Sequence, residues 1–117
     1  MAKIGIVGSR RRKCRDEVVA LVDSLPQDTV VISGGCRGVD AWAEEAARAR
    51  GLEVVVHLPK LPENGDYLEI CKAYYARNRL IVEDSDMLYA FVSGDRRGGT
   101  ENTVKHAVQL GKKIVFM

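Results

Sequence analysis

Cysteine is scarce in this chain of 117 residues, with only Cys14, Cys36 and Cys71. The three are odd in number, far apart and outside any Cys-x-x-Cys pair. That spacing excludes a disulfide framework and a zinc-finger pattern, and it leaves reduced thiols in a cytoplasmic protein as the simpler expectation. Long hydrophobic runs are lacking too. No segment approaches the roughly 20 apolar residues that a membrane helix needs, so no membrane partner is expected. The residues from Met1 to Val7 bring in charge and glycine at once, which is unlike the apolar stretch of a secretory signal. Aromatic residues make up 6% of the chain, and the net charge is only +2. A charge that small does not by itself imply a nucleic-acid partner. Two phosphate-binding signatures are also missing, the G-x-G-x-x-G dinucleotide fingerprint and the G-x-x-x-x-G-K-[ST] loop. The two histidines, His57 and His106, have no companions spaced for a metal or a nucleophilic triad. They read as structural, and neither a metal nor a cofactor is expected.

What the sequence does contain is regular alternation. Five short apolar runs rich in β-branched residues cover Lys3 to Val7, Thr29 to Ile32, Glu53 to His57, Met87 to Val92 and Lys113 to Met117. Most are continuously hydrophobic, as strands covered on both faces are. Four helical stretches lie between them. The first carries Val18, Val22 and Leu25 and is ended by Pro26. The second runs through Val39, Trp42, Ala43, Ala46 and Ala49 to Gly51. The third begins near Asp66, spaced like a capping box with Glu69, and carries Leu68, Ile70, Cys71, Tyr74, Tyr75 and Ile81. The fourth begins near Thr100, buries Val104, Ala107 and Val108, and stops at Gly111. With right-handed crossovers, this order predicts an α/β fold. We expect a Rossmann-like, doubly wound parallel sheet of about five strands with four helices, as a single domain over residues 1–117. The Leu58 to Gly65 segment is the longest loop and is expected to act as a rim or a lid.

In such a sheet, ligands bind beyond the carboxyl ends of the strands, which is where the glycines gather. Gly8-Ser9-Arg10 follows the first strand, Ser33-Gly34-Gly35-Cys36-Arg37-Gly38-Val39-Asp40 the second, and Gly94 through Thr100 the fourth. Glycine admits close backbone approach, and the free amides of a following helix attract anions, so a phosphate is the expected guest. Arg10, Arg37 and Arg77 suit phosphate through the planar guanidinium fork. Five of the 18 basic residues fall between Arg10 and Arg15, and of these Arg11, Arg12, Lys13 and Arg15 are expected to form a solvated face. Some roles stay open at this level. Thr100 either caps its helix or meets the ligand, beside Gly98, Gly99 and Thr103. Asp40 either accepts from a ribose or base or stabilises the start of its helix. Trp42 belongs to the core, to a dimer interface or to a base-stacking surface.

These motifs, together with Arg77-Asn78-Arg79-Leu80-Ile81-Val82 leading into Ser85-Asp86, resemble the SLOG superfamily in order and spacing over nearly the whole chain. That superfamily includes the SMF/DprA-like DNA-processing proteins, YspA-like stand-alone domains, LOG phosphoribohydrolases and molybdenum-cofactor carrier-like proteins. The run from Ser33 to Asp40 looks most like the S-G-x-A-x-G-x-D segment of the DprA and YspA branch. The resemblance implies a nucleotide-type small molecule bound over the glycine loops, often in a homodimer. Site residues carried over in this way are Gly8, Ser9, Arg10, Gly34, Gly35, Cys36, Arg37, Gly38, Asp40, Arg77, Asn78, Gly98, Gly99, Thr100 and Thr103.

Three functions follow as expectations. The first is binding of a nucleotide or nucleotide-derived phosphate ligand as a sensor or carrier, without turnover. The second is LOG-like cleavage of the N-glycosidic bond of a nucleoside monophosphate. There the family motif P-G-G-x-G-T-x-x-E supplies a Glu, whereas this chain has Thr103 in its place. Arg77 would then act with Asp40 or Glu101. The third is DprA-like binding of single-stranded DNA through Arg10 to Arg15, a cluster that contains no aromatic residue.

Overall fold

A computed structural model describes all of residues 1–117. Strands β1 (Lys3–Gly8), β2 (Val30–Ser33), β3 (Glu53–Val56), β4 (Met87–Phe91) and β5 (Lys113–Phe116) alternate with helices α1 (Arg15–Asp23), α2 (Val39–Ala49), α3 (Tyr67–Asp84) and α4 (Gly99–Gln109). All strand pairs are parallel, in the order β3-β2-β1-β4-β5. The Rossmann-like fold expected from the sequence is the fold observed, with every element within a few residues of its predicted place. The chain reverses direction across the sheet between β1 and β4. This switch point is where a crevice opens in open α/β sheets.

The sheet buries both faces, which explains the unbroken apolar runs. On one face α1 and α2 pack Val18, Val22, Val39, Ala43 and Ala47 onto Ile4, Ile6, Val31 and Phe91. On the other, α3 and α4 pack Ile81, Val82, Val104 and Ala107 onto Val7, Ile32, Leu88 and Ala90. The carboxyl end of α1 is closed by Arg50, whose guanidinium donates to the carbonyls of Val22 at 2.6 Å and Leu25 at 2.8 Å. A cation there also complements the negative end of the helix dipole. At the start of α3 the amide of Glu69 donates to Asp66 Oδ1 at 2.9 Å, the cap anticipated from the spacing.

One expectation about burial fails. Val108 is 67% exposed. The inward stripe of α4 is Thr100, Thr103, Val104 and Ala107, and at ~100° per residue Val108 stands about 90° away from the centre of that stripe. Leu68 and Tyr75 are also exposed, because α3 buries only its second half, through Arg77, Asn78, Ile81 and Val82. Trp42 packs, partly buried, against the core on the α1–α2 face. His57 pairs through Nε2 with Asp84 at 2.9 Å, and Asp84 also accepts from Lys3 Nζ at 3.0 Å. No helix is long and apolar enough to cross a membrane.

Candidate functional site

The carboxyl ends of β1, β2 and β4 open into one cavity of about 380 Å³, a size typical of small-molecule sites. Val7 and Ile81 give it an apolar floor. One wall is Gly8, Ser9, Arg10 and Arg11 after β1, and the opposite wall is Arg97, Gly98, Gly99, Thr100 and Thr103 around the start of α4. Cys36 and Asp40 enter from the β2 side, and Tyr74, Tyr75, Arg77 and Asn78 from α3. A shallower hollow of about 330 Å³ adjoins it. Gly34, Gly35, Arg37, Leu58 and Pro59 line that second hollow, which shares Arg10, Cys36, Tyr74 and Arg77 with the first. Leu58 and Pro59 thus put the long loop at the rim, as anticipated.

The walls are held by arginines. Arg11 donates to both carboxylate oxygens of Asp95, at 2.8 and 2.6 Å, to Ser93 Oγ at 3.1 Å and to the Arg97 carbonyl at 3.2 Å. It therefore clamps the loop after β1 to the loop after β4. Arg11, then Ser93, pull the Asp95 carboxyl down to about 2. Arg12 donates to the carbonyls of Val92 and Met117, both at 2.8 Å, and stands over the Phe91 ring at 5.7 Å. The expected solvated face is thus corrected at Arg12, while Arg11 stays 59% exposed even as it pairs with Asp95. Arg11 and Arg12 both brace the site, and the reason is spatial: Asp95 and the Val92 carbonyl beyond β4, and the Met117 carbonyl after β5, lie within reach of the loop after β1.

Arg77 and Asp40 order the glycine loop from below. Arg77 is buried on α3. It donates through Nη1 to the Gly34 carbonyl and, at 3.4 Å, to the His57 carbonyl, and through Nε to Asn78 Oδ1 at 2.9 Å. Its Nη2 lies 3.5 Å from Cys36 Sγ, and the guanidinium stands 5.4 Å from the Tyr74 ring. Most of its five N–H donors are therefore used within the protein. Asn78 in turn donates to Asn102 Oδ1 at 3.1 Å, tying α3 to α4. Asp40 Oδ2 accepts from the Cys36 amide at 3.2 Å. Burial pushes the Asp40 carboxyl up to about 6, and the Cys36 amide and the Arg77 charge only partly oppose that push. Gly34 lets these two side chains approach the loop closely, because a Cβ there would lie 2.9 Å from Arg77 Nη1 and 3.0 Å from Asp40 Oδ2 and would displace them.

The start of α4 is the other anion-ready element. Gly98 is its N-cap, at φ 110°, a conformation that strains any residue with a Cβ. No side chain caps the helix. Thr100 therefore does not take the capping role left open by the sequence, and it sits inside the first turn along the cavity wall. The amides there point outward, with the positive end of the helix dipole behind them. Arg10, Arg37 and Arg97 belong to none of the chain's ion pairs.

Most residues named from the sequence thus gather in the two adjoining hollows. Gly34, Gly35 and Arg37 line only the side hollow. Gly38 and Glu101 line neither. Gly38 is the N-cap of α2, at φ 82°. Glu101 is turned to Arg96, which it holds through two contacts of 2.9 Å. Sequence reasoning missed Arg11, Arg97, Tyr74 and Tyr75 as lining residues. The signal for Tyr74 was its position three residues before Arg77, on the same helix face. No three His, Cys, Asp or Glu side chains gather as a metal site would require.

No protein-family model matches the chain, and no curated protein does. Among solved structures, it is similar to DNA processing protein A (DprA) from Streptococcus pneumoniae, with a TM-score of 0.82 at 20% identity. That match covers 99% of this chain and 50% of the other, so the chain spans about half the length of DprA. It is also similar to a structure of the C-terminal domain of a hydrogenase from Pyrococcus furiosus, with a TM-score of 0.55 at 16% identity, over 98% of this chain and 90% of that one. A second structure of that domain gives a TM-score of 0.53 at 16% identity, over 99% and 91%. Likeness at these identities is likeness of fold, and the chain has the Rossmann-like fold that DprA also carries.

Proposed function

We propose that this protein binds a nucleotide or nucleotide-derived phosphate ligand in the cavity between the loops after β1, β2 and β4. The observation that carries the reading is the uncapped start of α4 facing the same cavity as Arg10 and Arg97, neither of which has an anionic partner. Outward amides, a helix dipole and free guanidinium groups together favour a phosphate. The apolar floor and the rings of Tyr74 and Tyr75 suit a base or sugar. The resemblance of the glycine loops to the SLOG superfamily supports the same class of ligand.

Calorimetric titration with a panel of nucleoside mono-, di- and cyclic phosphates tests this. Saturable binding that weakens at least tenfold in Arg97→Ala is expected. Silence across the panel refutes the reading.

A second reading, single-stranded DNA, is favoured by two tyrosines beside unpaired arginines, the combination that strand-binding grooves use. The basic cluster itself favours it less, because Arg11, Arg12 and Arg15 are each paired to a carboxylate. For N-glycosidic cleavage, Asp40 reaches the cavity while Glu101 is committed to Arg96. Asp40 is therefore the carboxylate to replace when testing for release of free base.

A further inference from the structure

The two hollows differ in what they offer, and the difference bears on the shape of the ligand. The main cavity ends at the uncapped amides of α4 and Arg97. The side hollow ends at Gly35 and Arg37, across a shared wall that includes Arg10 and Tyr74. Arg37 is exposed, makes no ion pair and leans on no acidic residue of either lining. The one carboxylate in the combined lining, Asp40, is turned to the Cys36 amide.

Three unpaired guanidinium groups, Arg10, Arg37 and Arg97, thus stand around the pair of hollows. One phosphate monoester carries about 1.5 to 2 negative charges, which leaves part of that positive charge unanswered, while two such groups match it. The position of the charges matters as much as their number. Tyr74 lines both hollows and so brings an aromatic ring to where a base or a ribose joining the two phosphates would lie. Adjacent phosphates of a diphosphate would lie together at one end and leave the other empty.

We infer that the site takes a nucleoside phosphorylated at both its 5′ and 3′ oxygens, with one phosphate at the start of α4 and the other at Arg37 in the side hollow. This rests on the nucleotide-binding reading above and specifies it. The same phosphate–nucleoside–phosphate unit occurs free as a bisphosphate and repeated along a nucleic-acid strand.

Titration of the full chain with adenosine 5′-monophosphate, adenosine 5′-diphosphate and adenosine 3′,5′-bisphosphate compares one phosphate, two adjacent phosphates and two separated ones. The bisphosphate is expected to bind at least about tenfold more tightly than either of the others. In Arg37→Ala that ratio is expected to fall to about threefold or less. The exposed, unpartnered side chain makes this variant safe for folding, and Arg37→Gln gives a second check. A bisphosphate no tighter than the monophosphate overturns the inference but leaves the broader reading standing. So does an equal gain from the diphosphate, or a gain that survives both Arg37 variants. Silence from all three compounds removes both readings. A single strand of about 15 nucleotides, used as competitor, identifies the source. Displacement of the bisphosphate by the strand at lower concentration assigns the unit to nucleic acid, and the reverse order assigns it to a free nucleotide.

Discussion

Replacing Asp40 by asparagine should make the protein more stable near neutral pH, although it alters a buried charged group. The carboxyl is 5% exposed, and burial lifts it from 3.8 to about 6 even though the Cys36 amide and Arg77 favour its ionised form. The folded state therefore holds a proton that the unfolded state has released between about pH 4 and pH 6. The part of wild-type stability that Asp40 governs is lost as pH rises through that window and is level above it. Two pH units at 1.36 kcal/mol each give about 3 kcal/mol as the cost of keeping Asp40 ionised. Asparagine keeps an oxygen for the Cys36 amide but gives Arg77 a weaker neighbour, so a net gain of about 1–3 kcal/mol is expected near pH 7.5. That corresponds to several degrees in Tm for a chain of this size. Urea unfolding of both proteins at about pH 4.5, 6 and 7.5 measures the effect, and the gap should open as pH rises. A variant less stable than wild type near pH 7.5, or a gap independent of pH, refutes the argument. Either result would mean that Arg77 compensates the charge more fully than its distribution of hydrogen bonds implies.

Two further outcomes are expected. Phe91→Ala removes a fully buried ring that packs under α1 and α2 and supports the Arg12 guanidinium. A loss of about 3–5 kcal/mol in denaturant unfolding is expected, and a loss under about 1 kcal/mol would show that this core face repacks freely. Asp84 is partly buried, which would raise its carboxyl, yet hydrogen bonds from His57 and Lys3 hold it below the usual value. Its contribution is thus present above about pH 4 and lost as pH falls further. The pair is partly solvated, so Asp84→Asn should flatten the acid limb of the stability profile by no more than about 1 kcal/mol, and an unchanged limb counts against the coupling.

The fold was legible because its signals are local. The apolar runs from Thr29 to Ile32 and from Met87 to Val92 mark strands covered twice, and Asp66, Gly51 and Gly111 mark helix ends, all within a few residues of where the elements lie. The glycine loops were legible for the same reason, since Gly34 and Gly98 stand where a Cβ would collide or strain the backbone. Sequence periodicity failed where burial depends on what a helix leans against, as at Val108.

The division of labour among the arginines was not legible at all. Arg10, Arg11 and Arg12 are adjacent and chemically identical, yet one is free beside the cavity, one clamps Asp95 and one braces the end of β4. The amino-acid order determined by itself that five strands and four helices alternate and that glycines and guanidinium groups sit at the carboxyl edge, because propensity and pattern act over a few residues. Only the tertiary structure decided which charges are paired within the protein and which stay unpaired. Pairing depends on groups more than 80 positions apart along the chain, such as Arg11 and Asp95, and no local pattern records that distance.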